Sequence, residues 1–170
     1  MPSKDKIAFF PGSFDPFSLS HREIALEIRD LGFEVYLAVD EFSWSKRTQP
    51  HKFRRDIINM TIAQEKDIFL FPSEIPINIS NDRDLLKLKD LFATRQVYMV
   101  IGTDVLINAS AYDRDGELNK LPHIIFDRKS QQSRENDEIL LKKRLENLKE
   151  EVLILSLPPQ YEDISSTEIR

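Results

Sequence analysis

Six short apolar runs, at 6–10, 33–39, 67–71, 96–101, 123–126 and 152–157, alternate along the chain with stretches patterned for helix. No feature narrows the fold further. The helical stretches are 21–31, 53–63, 82–94, a short one at 105–112 and a heavily charged one at 135–150. A helix between two strands carries the chain back to the edge it left, so successive strands run parallel. The run at 96–101 is almost uninterrupted, as a strand covered on both faces requires. The expected fold class is therefore α/β, a Rossmann-like doubly wound open parallel sheet flanked by helices, with ligands at the carboxyl ends of the strands. Gly32 is placed to end the first helix and Asn81-Asp82 to cap the third. No repeat and no linker interrupts the alternation, so 1–170 reads as a single domain. The polar stretch 128–136 is the segment expected to move.

Composition closes several functional classes. The chain has 170 residues, 41% of them hydrophobic, and lacks a span-length apolar run, which argues for a soluble domain with no membrane partner. The first residues, Met1-Pro2-Ser3-Lys4-Asp5-Lys6, contain no apolar signal core, so the expected location is cytoplasmic. With no cysteine and three scattered histidines, thiolate chemistry and a zinc site on the protein are not expected. Any metal should be Mg²⁺ held through substrate phosphates. The formal charge of −5 argues against a nucleic-acid partner.

The loop after the first run carries the chemistry. It reads Phe9 to Ile24, FFPGSFDPFSLSHREI, and contains neither a G-x-G-x-x-G nor a G-x-x-x-x-G-K-[ST] fingerprint. Gly12 and Ser13 follow the strand. Ser20 and Glu23 stand at capping-box spacing, which places His21 in the first helical turn, where free amides and the helix dipole favour an anion. The plainer reading makes Asp15-Pro16 a turn and Ser20 a cap.

Gly12-Ser13-Phe14-Asp15-Pro16, followed by Ser18-Leu19-Ser20-His21, resembles the G-[ST]-F-D-P-x-[HT]-x-G-H signature of the nucleotidyltransferase superfamily of adenylyl- and cytidylyltransferases. Ile164-Ser165-Ser166-Thr167-Glu168-Ile169-Arg170 is similar to its second signature, I-S-S-T-x-I-R. Between them, Gly102-Thr103-Asp104 resembles the G-x-D of bacterial nicotinate mononucleotide adenylyltransferases, and Pro122 to Arg128 resembles their strand ending in arginine. The head of the chain is closer to phosphopantetheine adenylyltransferase, which usually has R-G-x-R where this chain has Gly102-Thr103-Asp104. Two departures stand out: Ser18 replaces the first histidine of H-x-G-H, and Ser20 replaces its glycine. A neutral hydroxyl is a weaker phosphate donor than imidazolium, and a side chain at position 20 can crowd phosphates.

The resemblance implies transfer of AMP from ATP to nicotinate or nicotinamide mononucleotide, with Mg²⁺, in NAD biosynthesis. Alternatives are phosphopantetheine adenylyltransferase, a cytidylyltransferase-like enzyme using CTP, and a nucleotide binder without turnover. By the same resemblance, Gly12, Ser13, Phe14 and His21 would hold the ATP phosphates, with Ser18 for the missing donor. Gly102 and Asp104 would border the adenosine. Ile164, Ser165, Ser166 and Thr167 would meet the β- and γ-phosphates, with Arg170 nearby. For the acceptor the candidates are Lys46 and, less directly, Arg54 or Arg55 on its phosphate, Trp44 and Tyr112 as aromatic surfaces, Ser13 and Arg128. Each has a plainer alternative: Asp104 as a helix cap, the basic cluster 46–55 as a solvated helix entrance, Trp44 as a loop anchor. His51 and His123 read as structural. Ser165 and Glu168 again have capping-box spacing, but the helix has barely begun at Arg170, so the expectation is either a protein that continues beyond it or last residues that are poorly ordered without ligand. A homo-oligomer is compatible with the sequence.

Overall fold

The computed structural model describes residues 5–12, 19–39, 51–72, 75, 77–92, 95–108, 110–113, 116–127 and 135–156. In chain order the elements are β1 (Lys6–Gly12), α1 (Leu19–Asp30), β2 (Phe33–Val39), α2 (His51–Ile62), β3 (Ile68–Leu70), α3 (Asp82–Leu91), β4 (Gln96–Gly102), α4 (Thr103–Asn108), β5 (His123–Asp127), α5 (Glu135–Asn147) and β6 (Val152–Ser156). Two short 3-10 helices, Ser110–Asp113 and Glu117–Lys120, lie between α4 and β5. The strand order β3-β2-β1-β4-β5-β6 is that of a doubly wound parallel sheet. This is the α/β architecture the alternation predicts. The chain divides into two compact units, one with β1–β3, α1 and α2, the other with α3–α5, β4–β6 and the 3-10 helices.

In the first unit, β2 pairs in parallel with β1 and β3, with Gly12 level with Val39 and Leu37 level with Leu70. Helix α1 buries Ile24, Ala25 and Ile28. It stops because Gly32 takes φ +104°, where only glycine is unstrained, and returns its N–H to the Arg29 carbonyl at 2.9 Å. A Cβ at Gly32 would meet nothing within 4 Å, so the requirement there is purely one of backbone conformation. Glu65 then clamps α1 by accepting from Arg22 at 2.8 Å and Arg29 at 3.0 Å. Strand β3 is shorter than the run 67–71 predicts, because Asp67 sits at φ 64° and starts the strand one residue later. Its ladder continues for one bond past the strand, from the Phe71 N–H to the Leu37 carbonyl.

In the second unit, β5 pairs in parallel with β4 and β6. Residues 97–101 of β4 are all buried, as a two-sided sheet demands. Helix α3 begins where Asn81, in extended backbone, accepts from the N–H groups of Arg83 and Asp84 at 2.9 and 3.3 Å, and it buries Leu85 and Leu88. Replacing the cap with alanine orphans two amides, so Asn81→Ala is expected to lower stability by about 1 kcal/mol while Asn81→Asp holds it. Urea unfolding checks this.

Several boundaries differ from the sequence expectation. Helix α1 starts at Leu19, so Ser20 lies inside the first turn instead of before it, and Glu23 pairs with Arg22 at 3.5 Å. The helix predicted at 105–112 is two pieces, α4 and the 3-10 helix Ser110–Asp113. Helix α5 ends at Asn147, three residues early; beyond it the Lys149 N–H turns to the Asn119 carbonyl at 3.1 Å. The 3-10 helix Glu117–Lys120 was not anticipated, although it buries Leu118 and Asn119. Of the stretch expected to move, 128–134 lie outside the described residues and 135–136 open α5.

Candidate nucleotide-binding site

In the first unit, the groups singled out by the sequence gather at the carboxyl ends of the strands. Gly12 is the last residue of β1. His21 is the third residue of α1, half-buried, with its ring edge-on to Phe10 of β1 at 6.3 Å between centroids. Helix α1 therefore brings the imidazole beside the end of β1. Strand β2 ends at Val39, level with Gly12. Arg55, on α2, donates to the carbonyl of Phe71 at 2.8 Å, just past the end of β3. Phe71 is fixed in turn by an edge-on contact with Phe9 at 5.1 Å. That bond occupies one nitrogen of a five-donor guanidinium at the ligand edge.

In the second unit, Gly102 closes β4, is buried, and lies level with Phe126 of β5. Helix α4 follows without a loop, which puts Asp104 in its first turn and not at the cap position. Strand β5 ends at Asp127, level with Ser156 of β6. Ser13, Phe14, Ser18, Trp44, Lys46, Arg128, Ile164, Ser165, Ser166, Thr167 and Arg170 lie outside the described residues.

Tyr112 requires a correction. Its side chain is fully buried in the second unit, so the ring belongs to the core and is not a surface for a ligand. Its hydroxyl donates to Nε2 of His123 at 3.1 Å, while His123 Nδ1–H donates to the Leu121 carbonyl at 2.8 Å. Burial pushes the tyrosine well above its ordinary pKa and pulls His123 down to about 4, against the smaller opposing effect of the Leu121 carbonyl. His123 is thus a neutral core histidine with both nitrogens engaged.

Arg144 went unnoticed in the sequence. It lies on the stripe Leu141 and Leu145 of α5, which Leu148 continues just past the helix, and a cation within an apolar stripe is the signal that could have found it. The guanidinium is buried, and each of its three nitrogens donates, to Asp113 or to the carbonyls of Leu106 and Ile107. It holds the Asp113 carboxyl below the usual range.

Residues 9–170 match the cytidylyltransferase-like family. The chain belongs to that family. A curated relative, the probable nicotinate-nucleotide adenylyltransferase of Endomicrobium trichonymphae, is 28% identical over 172 aligned positions, covering 97% of this chain and 84% of the relative. Among solved structures, Plasmodium falciparum nicotinic acid mononucleotide adenylyltransferase complexed with NaAD superposes with a TM-score of 0.71 at 20% identity, over 96% of this chain and 81% of that one. The same enzyme complexed with APC gives 0.69 at 17%, with the same coverage. At these identities the structures share a fold with this cytidylyltransferase-like protein. Among its described residues, no helix is long and apolar enough to cross a membrane, and no group of three or more His, Asp or Glu side chains is placed to hold a metal ion.

Proposed function

We propose that this cytidylyltransferase-like protein is an enzyme that transfers AMP from ATP to nicotinate or nicotinamide mononucleotide, with release of pyrophosphate, as a cytoplasmic step of NAD biosynthesis. The observation that carries the reading is His21, the histidine that ends the family's first motif, standing in the first turn of α1 beside the end of β1. The relative from Endomicrobium supports the choice of acceptor.

A phosphate oxygen of the mononucleotide attacks the α-phosphorus of ATP in line; the new P–O bond forms as the bond to pyrophosphate breaks. The attacking phosphate is already ionised, so no general base is needed, and the protein's work is positioning and charge stabilisation. His21 donates to the ATP phosphates, with Gly12, Ser13 and Phe14 lining the approach and Ser18 adding a neutral donor. Gly102 and Asp104 border the adenosine. Ile164 to Thr167 and Arg170 hold the outgoing phosphates. Lys46, Arg55 and Arg128 bind the acceptor, with Trp44 against its ring. Magnesium would be held largely through the substrate phosphates and would neutralise part of their charge.

The deciding experiment pairs ATP or CTP with nicotinate mononucleotide, nicotinamide mononucleotide or phosphopantetheine and measures pyrophosphate. Release is expected with ATP and a pyridine mononucleotide. Release with phosphopantetheine or CTP alone would reassign the acceptor or the nucleotide, and ATP binding without release under any pairing would make the protein a nucleotide binder. In the same assay Lys46→Ala is expected to raise the acceptor KM far more than the ATP KM. An equal rise would remove Lys46 from the acceptor site.

A further inference from the structure

Arg144 of α5 is only 5% exposed, and its guanidinium joins three elements. Nη1 donates to the carbonyls of Leu106, at 2.7 Å, and Ile107, both in the last turn of α4. Nε and Nη2 donate to the two carboxylate oxygens of Asp113, at 3.2 and 2.9 Å, at the end of the 3-10 helix Ser110–Asp113. Helix α4 has six residues, too few to hold its own geometry. Its carbonyl end lacks intrahelical partners, and a cation there supplies both the missing donors and the charge that complements the helix dipole. The other end is fixed covalently, because Thr103 follows Gly102 of β4 directly. Between β4 and Arg144 the axis of α4 is set.

Stability alone does not explain an arginine here. Burying a guanidinium carries a desolvation cost, and replacing a buried ion pair by packed apolar side chains is often neutral or stabilising. A methionine would continue the leucine stripe of α5 at no such cost. We infer that Arg144 is a positioning residue for the nucleotide: by holding the far end of α4 it fixes the Gly102-Thr103-Asp104 segment against the adenosine of ATP. This rests on the adenylyltransferase reading. It acts through α4 and touches no reacting atom.

The test uses the full chain with Arg144→Met, Arg144→Lys and Asp113→Asn, measuring ATP affinity by calorimetry, KM for each substrate and thermal melts. Asp113 is half-exposed, and an asparagine there keeps an oxygen to accept from the guanidinium, so this variant is the mildest of the three and should fold. Losing charge-assisted bonds that also hold the helix end is expected to weaken ATP binding about tenfold in Arg144→Met. Lysine keeps the charge but not the planar fork and should not restore affinity; Asp113→Asn should show a smaller loss in the same direction. The acceptor KM should move less than threefold, and ATP affinity should fall even where the melting temperature does not. If Arg144→Met does not fold, Asp113→Asn decides. Unchanged ATP affinity in folded variants, or equal losses for both substrates, would overturn the inference while leaving the adenylyltransferase reading intact. A wild-type chain that binds no ATP would remove that reading, and the inference with it.

Discussion

A folded His21→Ala variant is expected to lose about 10²–10³ in kcat, roughly 2.7–4 kcal/mol of transition-state stabilisation, the usual consequence of deleting a preorganised donor where charge develops. The site has a reason to lean on this one side chain. Where the family signature has two histidines, this chain has Ser18 and His21, and a hydroxyl is the weaker donor to a phosphate oxygen. His21 should therefore carry a larger share of the charge than either histidine in a two-histidine site. The fold should survive the substitution, because α1 is held to the sheet by Ile24, Ala25 and Ile28 and to the rest of its unit by the Glu65 clamp. Matched thermal melts and steady-state pyrophosphate release separate the two effects. Ser18→His, which restores the commoner pair, should leave the rate unchanged or raise it. Full activity in a folded His21→Ala variant would sink the mechanism.

What the sequence disclosed follows from how local each determinant is. Strands β2 and β4 were legible almost to the residue, because an apolar run of strand length between helices has one stable use, a buried parallel strand. The end of α1 was legible because Gly32 supplies a backbone conformation other residues resist. Its start was misread by two residues: the S-x-x-E spacing satisfies a capping box that would start the helix at His21, yet it begins at Leu19, ahead of Ser20. The break between α4 and the following 3-10 helix is spanned by Arg144, 31 residues beyond Asp113, and no local pattern announces so distant a clamp. Tyr112 failed for the same reason. An aromatic after the G-x-D motif looked like a ligand surface, but its fate is set by His123, 11 residues on, which takes its hydroxyl into the core. Gly12, His21 and Arg55 could be singled out as candidates because Gly12 ends β1 and the other two sit near the starts of the helices α1 and α2, and such folds bind ligands at the carboxyl ends of their strands.

The buried pair Tyr112 and His123 sets the second large expectation, a loss of stability in mild acid. His123 titrates at about 4 in the folded protein against 6.5 for the unperturbed side chain, because burial penalises the imidazolium. The folded pKa is the depressed one, so between these values the unfolded chain binds a proton that the folded chain refuses. Stability is then fully present above 6.5, falls with pH through this window, and levels off below about 4. At about 1.4 kcal/mol per pKa unit, the shift corresponds to roughly 3 kcal/mol across the window. Carboxylates elsewhere also destabilise proteins in acid, so the histidine's share must be isolated by difference. His123→Phe leaves the Tyr112 hydroxyl and the Leu121 carbonyl without this partner, which costs about 1–3 kcal/mol at every pH. It also removes the titrating group. Urea unfolding of both proteins from pH 7.5 to 4 should therefore give curves that start apart and converge or cross as the pH falls, the wild type losing roughly 3 kcal/mol more than the variant. Parallel curves would mean that His123 accepts its proton in the fold as readily as in water, and that burial beside the Tyr112 hydroxyl does not hold it neutral.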